Sequence, residues 1–194
     1  FTMDRPNLAI LTGYEIESSY FLKRTQEMNP LDKISFIQLL WGVPIFLAIH
    51  NLEEAPFMEE WYKGLPLPVH PIVSTKQFVA AVSLLTVAGF AVTYFGIYSS
   101  NQSIGISIIL GIQMVMLVNV FVPHLATAIR FRKYSPGIVT GLLLNLPFSI
   151  YLFQRAMQVG FMSWQLVWIL LVIAPFASIA LITISLQFGK WLVK

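Results

Sequence analysis

The side chains best suited to chemistry lie together in the segment His50-Asn51-Leu52-Glu53-Glu54, near the end of a long apolar stretch. Ionisable groups inside a membrane-spanning segment are costly, so they indicate function by default. On a helix, at about 100° per residue, Glu53 and Glu54 project about 60° and 40° to either side of His50. An imidazole and two carboxylates on one helical face can bind a divalent metal or transfer protons.

A second polar group surrounds a proline in a later apolar stretch, where Asn119 is followed by Pro123 and His124. Proline lacks an N–H and clashes with the carbonyl four residues earlier, which here belongs to Asn119. The helix should therefore kink beside His124. On a straight helix Asn119 and His124 would point about 140° apart, so a shared site requires this kink.

A third polar group, with Thr140 and Asn145, begins the next apolar stretch. Alternate membrane spans run in the same direction, so the first and third spans end on the side where the fourth begins. Polar groups from three helices then share one layer about 10 Å thick. Thr140 and Asn145 could equally be interhelical hydrogen-bonding residues.

The shared layer predicts a metal site with His50, Glu54 and His124 as ligands, a set suited to iron, zinc or manganese. Glu53 would be a further ligand or the general base. Asn119 would be catalytic, either by orienting a ligand or by polarising the substrate. The predicted cofactor is therefore a divalent metal ion.

The composition indicates that these residues lie in a membrane bundle. Hydrophobic residues make up 57% of the 194 residues and charged residues 11%, with a mean hydropathy of +0.74. Soluble domains carry roughly 25% charged residues. The formal net charge of +3 requires no nucleic-acid partner, and the absence of cysteine excludes thiolate ligands and nucleophiles. Every carboxylate side chain lies before residue 61, which confines carboxylate chemistry to the amino-terminal third: Asp4, Glu15, Glu17, Glu27, Asp32, Glu53, Glu54, Glu59 and Glu60.

Five apolar stretches each reach the roughly 20 residues that a membrane-spanning helix needs. The predicted fold is an all-α integral membrane bundle of about five transmembrane helices, spanning about 34–57, 78–98, 104–129, 137–157 and 164–188. The five-helix domain would occupy residues 31–194. Residues 1–30 would form an interfacial segment or tail, with an amphipathic stretch between Asp4 and Ser19.

Five spans place the two termini on opposite sides of the membrane, and we expect an integral protein of the cell inner membrane. The amino-terminal side carries five cations, namely Arg5, Lys23, Arg24, Lys33 and Arg155. The other side carries seven, namely Lys63, Lys76, Arg130, Arg132, Lys133, Lys190 and Lys194. The positive-inside rule therefore favours a cytoplasmic carboxyl terminus.

The segment His50-Asn51-Leu52-Glu53-Glu54 resembles the motif of the HxxEE family of small integral membrane proteins. Asn119 with His124, and Tyr134-Ser135-Pro136-Gly137 with Thr140, are similar to that family's second and third blocks. The resemblance covers roughly residues 34–188. It implies a set of candidate residues and does not imply a particular activity.

These observations favour a metal-dependent membrane enzyme, a hydrolase or an oxidoreductase, acting on a lipid or other hydrophobic substrate. Its expected partners are membrane lipids, a lipophilic substrate and other membrane subunits. The alternatives are an accessory subunit of a larger membrane complex and a metal-free isomerase that shuttles a proton between Glu and His. A transporter or channel, and a haem protein with His50 and His124 as axial ligands, are further alternatives.

Overall fold

The computed structural model describes residues 34–65 and 73–193, and all regular secondary structure in these ranges is helical. The all-α class predicted from the sequence is confirmed. The predicted interfacial segment of residues 1–30 lies outside the described residues.

Six helical runs make up the described part of the chain. Helix α1 is Phe36–Glu54, made of Phe36–Leu40 and Gly42–Glu54, and the short α2 is Met58–Lys63. Helix α3 is Thr75–Ile97, and α4 is Gln102–Phe131. Helix α5 covers 138–158 in three consecutive segments: Ile138–Thr140, Gly141–Asn145 and Leu146–Gln158. Helix α6 is Trp164–Leu192.

Four of these helices, α1, α3, α4 and α6, are long and apolar enough to cross a membrane. The predicted fourth span corresponds to α5, which is not among those four because Asn145, Gln154 and Arg155 lower its apolar content. Even so, α5 runs beside α1 in the opposite direction. Thr140 lies beside His50 at one end, and just beyond the other end the ring of Phe161 stacks on Phe36, with centroids 5.6 Å apart.

Helix α4 is interrupted where the sequence predicted a kink. Within the segment Val120–Leu125 the helix is broken by a kink, because Val122 leaves helical geometry with φ −136° and ψ 112°. The kink predicted at Pro123 is thus confirmed. π-Helical turns are uncommon and occur frequently at functional sites. One such turn, Gly141–Asn145, lies in α5, so α4 and α5 are both irregular near the carboxyl end of α1.

Small residues and a carboxylate bring the remaining helices together. Gly96 of α3 and Gly105 of α4 pack backbone against backbone, and a Cβ on Gly105 would overlap the carbonyl of Gly96. Such small-residue crossings are typical of membrane helices.

Glu59 of α2 accepts hydrogen bonds from Lys63 and from both the N–H and the hydroxyl of Thr75, the first residue of α3. The bond from Lys63 and those from Thr75 lower the pKa of Glu59 to about 2.

Candidate metal centre

Three ligand atoms converge where α1, α4 and α5 meet. Nε2 of His124 lies 3.1 Å from Oε1 of Glu54, and Nε2 of His50 lies 3.6 Å from the same oxygen. All three ligand atoms lie within 4.8 Å of one another. The residues are almost fully enclosed, with 4% of His50, 7% of Glu54 and 2% of His124 exposed. Residues four apart share one face of a helix, which explains why His50 and Glu54 point into the same space.

The second ring nitrogen of His50 contacts Thr140 at the start of α5. Nδ1 of His50 lies 2.9 Å from the hydroxyl oxygen of Thr140, and that hydroxyl donates its proton to the carbonyl of Gly137 at 3.4 Å. A hydroxyl has one proton to donate. In the tautomer with its proton on Nδ1, His50 donates to this hydroxyl and directs the lone pair of Nε2 towards Glu54. A histidine that binds a metal usually donates its other ring N–H in this way.

His124 reaches the same space because of the kink in α4. Its Nε2 lies 2.9 Å from the side-chain amide nitrogen of Asn119, five residues earlier on the same helix. On a straight helix these two side chains would diverge. Nε2 of His124 therefore lies within hydrogen-bonding distance of both the Asn119 amide and the Glu54 carboxylate. The two imidazole rings stand nearly perpendicular, with centroids 4.9 Å apart.

Glu53 points to the other side of α1, towards the beginning of α5. Its Oε1 accepts hydrogen bonds from the Tyr134 hydroxyl and the Val139 N–H, and its Oε2 accepts one from the Thr140 N–H at 2.7 Å. A carboxylate at the first turn of a helix satisfies unpaired N–H groups and interacts favourably with the helix dipole. Glu53 therefore anchors to α1 the segment of α5 that carries Thr140.

Gly137 forms one wall of the centre. It has φ +88°, which a residue with a side chain rarely adopts. A Cβ at this position would lie 2.7 Å from Cε1 of His50, 2.7 Å from Cε1 of His124 and 3.0 Å from Oε1 of Glu54. The missing side chain is thus what allows α5 to approach both histidines.

The separations of these atoms fit a bound cation. Metal bonds of about 2.0–2.2 Å to nitrogen and oxygen place ligand atoms about 2.8–3.6 Å apart in octahedral or tetrahedral geometry. The separations of 3.1 Å and 3.6 Å from Oε1 of Glu54 to the two histidine nitrogens fall within that range. Two neutral imidazoles and one carboxylate match catalytic zinc sites and the two-His-one-carboxylate sites of non-haem iron. The donor set and its geometry are therefore suited to a divalent metal.

An apolar cavity of about 200 Å³, called the inner cavity below, ends at these residues. Its polar end is formed by His50, Asn51, Glu54, Asn119 and His124, and its walls are largely apolar side chains of α1, α2, α3, α4 and α6. Engineered cavities of about 150 Å³ admit a benzene ring. The inner cavity can therefore hold a small ring or a short hydrocarbon segment beside the candidate ligands.

Comparison with known proteins places the motif in a family. Residues 41–152, more than half of the chain, match the family described as "Protein of unknown function with HXXEE motif". The chain belongs to the HXXEE family. It is also 27% identical over 143 residues to "Uncharacterized protein YrkK" of Bacillus subtilis (strain 168), a match that covers 74% of this chain and 90% of the relative. No solved structure matches.

The histidine and the two glutamates of the HXXEE motif are His50, Glu53 and Glu54. These three side chains do not all have the same environment in the structure. His50 and Glu54 join His124 in the centre, as expected from the sequence. Glu53 is not in that group, and its contacts favour a positioning role, so a part for Glu53 as ligand or general base stays a prediction. Asn119 contacts His124, which is compatible with its predicted orienting role but does not test it.

Sequence reasoning missed three contributors to this HXXEE centre. Gly137 and Tyr134 belong to the third motif block, but their contacts with His124 and Glu53 could not be read from that block. Tyr62 lines the inner cavity from α2. Burial first, and then its hydrogen bond to Glu53, raise the pKa of Tyr134 to about 12, so this phenol remains a donor at neutral pH. The sequence signal that could have indicated these contacts was the run Ser135-Pro136-Gly137, which directly precedes a helix.

Proposed function

We propose that this HXXEE protein is a metal-dependent membrane enzyme that acts on a lipid or another hydrophobic substrate. The observation that carries the proposal is the convergence of two imidazole nitrogens and one carboxylate oxygen at the polar end of an apolar cavity. A purely structural polar cluster would not require the adjoining apolar space. An iron, zinc or manganese ion is the proposed cofactor.

In this proposal His50, Glu54 and His124 hold the metal, and other residues position them. A divalent cation there supplies Lewis acidity towards a carbonyl or phosphoryl oxygen, or redox chemistry if it is iron. Thr140 and Glu53 fix the orientation of His50 and of the start of α5. Asn119 holds His124, and its amide lines the inner cavity, where it can also donate to an oxygen of the substrate.

The walls of the inner cavity support a lipophilic substrate. They are apolar over most of their surface, and polar groups gather at one end, as is usual for sites that orient a mainly hydrophobic ligand. A substrate with a hydrocarbon part and one polar reactive group would place that group beside Glu54. The proposed enzyme class includes hydrolases and oxidoreductases.

Metal analysis of the purified full chain tests the proposal. We expect about one iron, zinc or manganese ion per chain, retained in Glu60→Gln and reduced at least tenfold in Glu54→Gln. Glu60 is a matched control because it lies on α2, outside the three-residue group. Less than about a fifth of an ion per wild-type chain after loading with each metal would overturn the proposal.

A metal-free isomerase is a second candidate, favoured by the close approach of Glu54 and His124. At 3.1 Å these side chains can share a proton directly. A buried acid and base at the end of an apolar cavity could move a double bond by transferring a proton. Activity that survives complete chelation would support this candidate over the metal enzyme.

The location and partners of the protein are also proposals. We propose that the bundle lies in the cell inner membrane with a cytoplasmic carboxyl terminus, because seven cations against five favour that side. The metal centre would then lie near the cytoplasmic leaflet. A reporter fused to the carboxyl terminus should be active on the cytoplasmic side. Co-purification of another membrane protein at fixed stoichiometry would support the alternative of an accessory subunit.

A further inference from the structure

A second apolar space, the outer groove, lies between α4 and α6 and has a volume of about 520 Å³. Its α4 side is formed by Ser103, Ile104, Ser107, Ile108, Gly111, Ile112 and Val115, and its α6 side runs from Leu170 to Leu181. Ile104 and Ile108 are exposed, so the groove opens on the surface that faces the hydrocarbon of the bilayer.

The outer groove and the inner cavity share part of their walls. Ile112, Val115 and Leu181 line both spaces. The separation between the bilayer and the inner cavity is therefore one layer of side chains, contributed by α4 and α6. Aliphatic side chains can change rotamer, whereas a wall of backbone cannot give way so readily.

The two spaces follow one another along the helices. On α4 the groove extends from Ser103 to Val115, and the cavity continues from Ile112 to Asn119 and His124. At 1.5 Å per residue, the cavity part from Ile112 to Asn119 is about 10 Å long, and the whole path from Ser103 is about 24 Å. The hydrocarbon core of a bilayer is about 30 Å thick.

Volume decides how a lipid could occupy this path. The inner cavity, at about 200 Å³, is smaller than the outer groove, at about 520 Å³. A long hydrocarbon chain, when extended, exceeds the cavity's length of about 10 Å along α4. A long-chain substrate with its polar group at His50 and Glu54 must therefore pass its remaining chain through the wall of the cavity, and the wall shared with the outer groove leads directly into hydrocarbon.

We propose that the substrate is a lipid with a single long hydrocarbon chain, and that this chain crosses between α4 and α6 past Ile112, Val115 and Leu181. The first part of the chain lies in the inner cavity and the rest lies in the outer groove. This inference rests on the proposed function for the assignment of the polar end. It adds the substrate class, the route from the bilayer and three residues that govern that route.

Photolabelling with defined fatty acids tests the route. The full chain is reconstituted in phosphatidylcholine vesicles with 16-carbon fatty acids that carry a diazirine either near the carboxylate or at the terminal carbon. We expect the first probe to label inner residues such as Met116. We expect the second to label groove residues such as Ile108 and Ile173. Labelled peptides are identified by mass spectrometry.

Two variants and one control make the result decisive. Val115→Trp should block the shared wall and reduce labelling of inner residues at least fivefold, with groove labelling unchanged. Leu181→Ala should open the wall and increase inner labelling at least twofold, and it keeps the test valid if Val115→Trp fails to fold. Val172→Trp is the matched control, because Val172 is 64% exposed and lines neither space.

The outcomes separate this inference from the proposed function. Inner labelling that is absent in the wild type, or unchanged in both Val115→Trp and Leu181→Ala, would overturn the route even if the protein binds metal. Chain labelling requires neither turnover nor a metal, and it is measured with and without a chelator. A metal-free protein that shows the expected labelling would therefore keep the route and lose the metal enzyme.

Discussion

Substitution of Gly137 by alanine should disable the metal centre from a residue that binds no metal. Carbon atoms in contact lie about 3.5–4.0 Å apart, whereas the new Cβ would lie 2.7 Å from Cε1 of both His50 and His124. Each imidazole would have to retreat by about 0.8–1.3 Å, or α5 would have to withdraw by a similar distance. Either change separates ligand atoms that now lie 3.1 Å and 3.6 Å apart.

The same substitution also strains the backbone, and this effect has to be measured separately. A left-handed conformation costs a residue with a Cβ about 1–2 kcal/mol. Gly160 has φ +81° and nothing within 4 Å of its would-be Cβ, so Gly160→Ala carries the strain without the clash. Each variant should lose about 1 kcal/mol of stability from strain, or about 2–4 °C in melting temperature for a chain of this size.

Metal affinity distinguishes the two variants. We expect Gly137→Ala to bind zinc or iron at least tenfold more weakly than the wild type, since displacement of supporting groups alone costs 10–100-fold at metal sites. Gly160→Ala should bind as the wild type does. Titration calorimetry in detergent gives the affinities, and thermal melts without metal give the strain. Equal metal affinity in the two variants would refute the reasoning that Gly137 forms a wall of the centre.

Three further predictions address the supporting contacts. Glu53→Gln should weaken the bonds that hold the start of α5 and lower the melting temperature by about 2–8 °C, for a loss of about 1–2 kcal/mol, measured in thermal melts without metal. Thr140→Val removes the acceptor for the Nδ1–H of His50 and should weaken metal binding 10–100-fold in the same titration used for Gly137. Glu59→Gln should destabilise the protein at pH 7 but not near pH 2, because folding lowers the pKa of Glu59 to about 2 and its contribution is lost as pH falls from about 4.5 through that value. Glu60→Gln removes a neighbouring carboxylate on α2 and should not show this pH dependence.

Hydropathy was sufficient to predict the fold because bilayer thickness sets a length that any spanning helix must reach. The predicted stretches correspond to α1, α3, α4, α5 and α6, with ends that differ by a few residues. Helix α5 departs from a simple span because polar residues enter its apolar stretch. The predicted fourth span was still informative, since Thr140 at its start contacts His50.

The site was partly predictable because its signals are local. Helical periodicity placed His50 and Glu54 on one face, and proline chemistry predicted the break that brings His124 towards Asn119. The contacts of Gly137 with both histidines depend on how α5 docks against α1 and α4, which residue spacing does not contain. The inner cavity could not be predicted from the sequence. Its walls are ordinary apolar residues from several helices, and only the packing of those helices creates a space between them.

The two adjacent glutamates of the HXXEE motif explain why one short segment can specify a site made of three helices. Neighbouring residues on a helix point about 100° apart, and Glu53 and Glu54 contact different helices. Glu54 faces His124 on α4, whereas Glu53 receives N–H groups from the first turn of α5. The motif therefore joins a proposed metal ligand, Glu54, to an anchor, Glu53. Loss of the anchor should loosen the bundle while the ligand atoms remain, and loss of Glu54 should remove the metal while α5 stays docked.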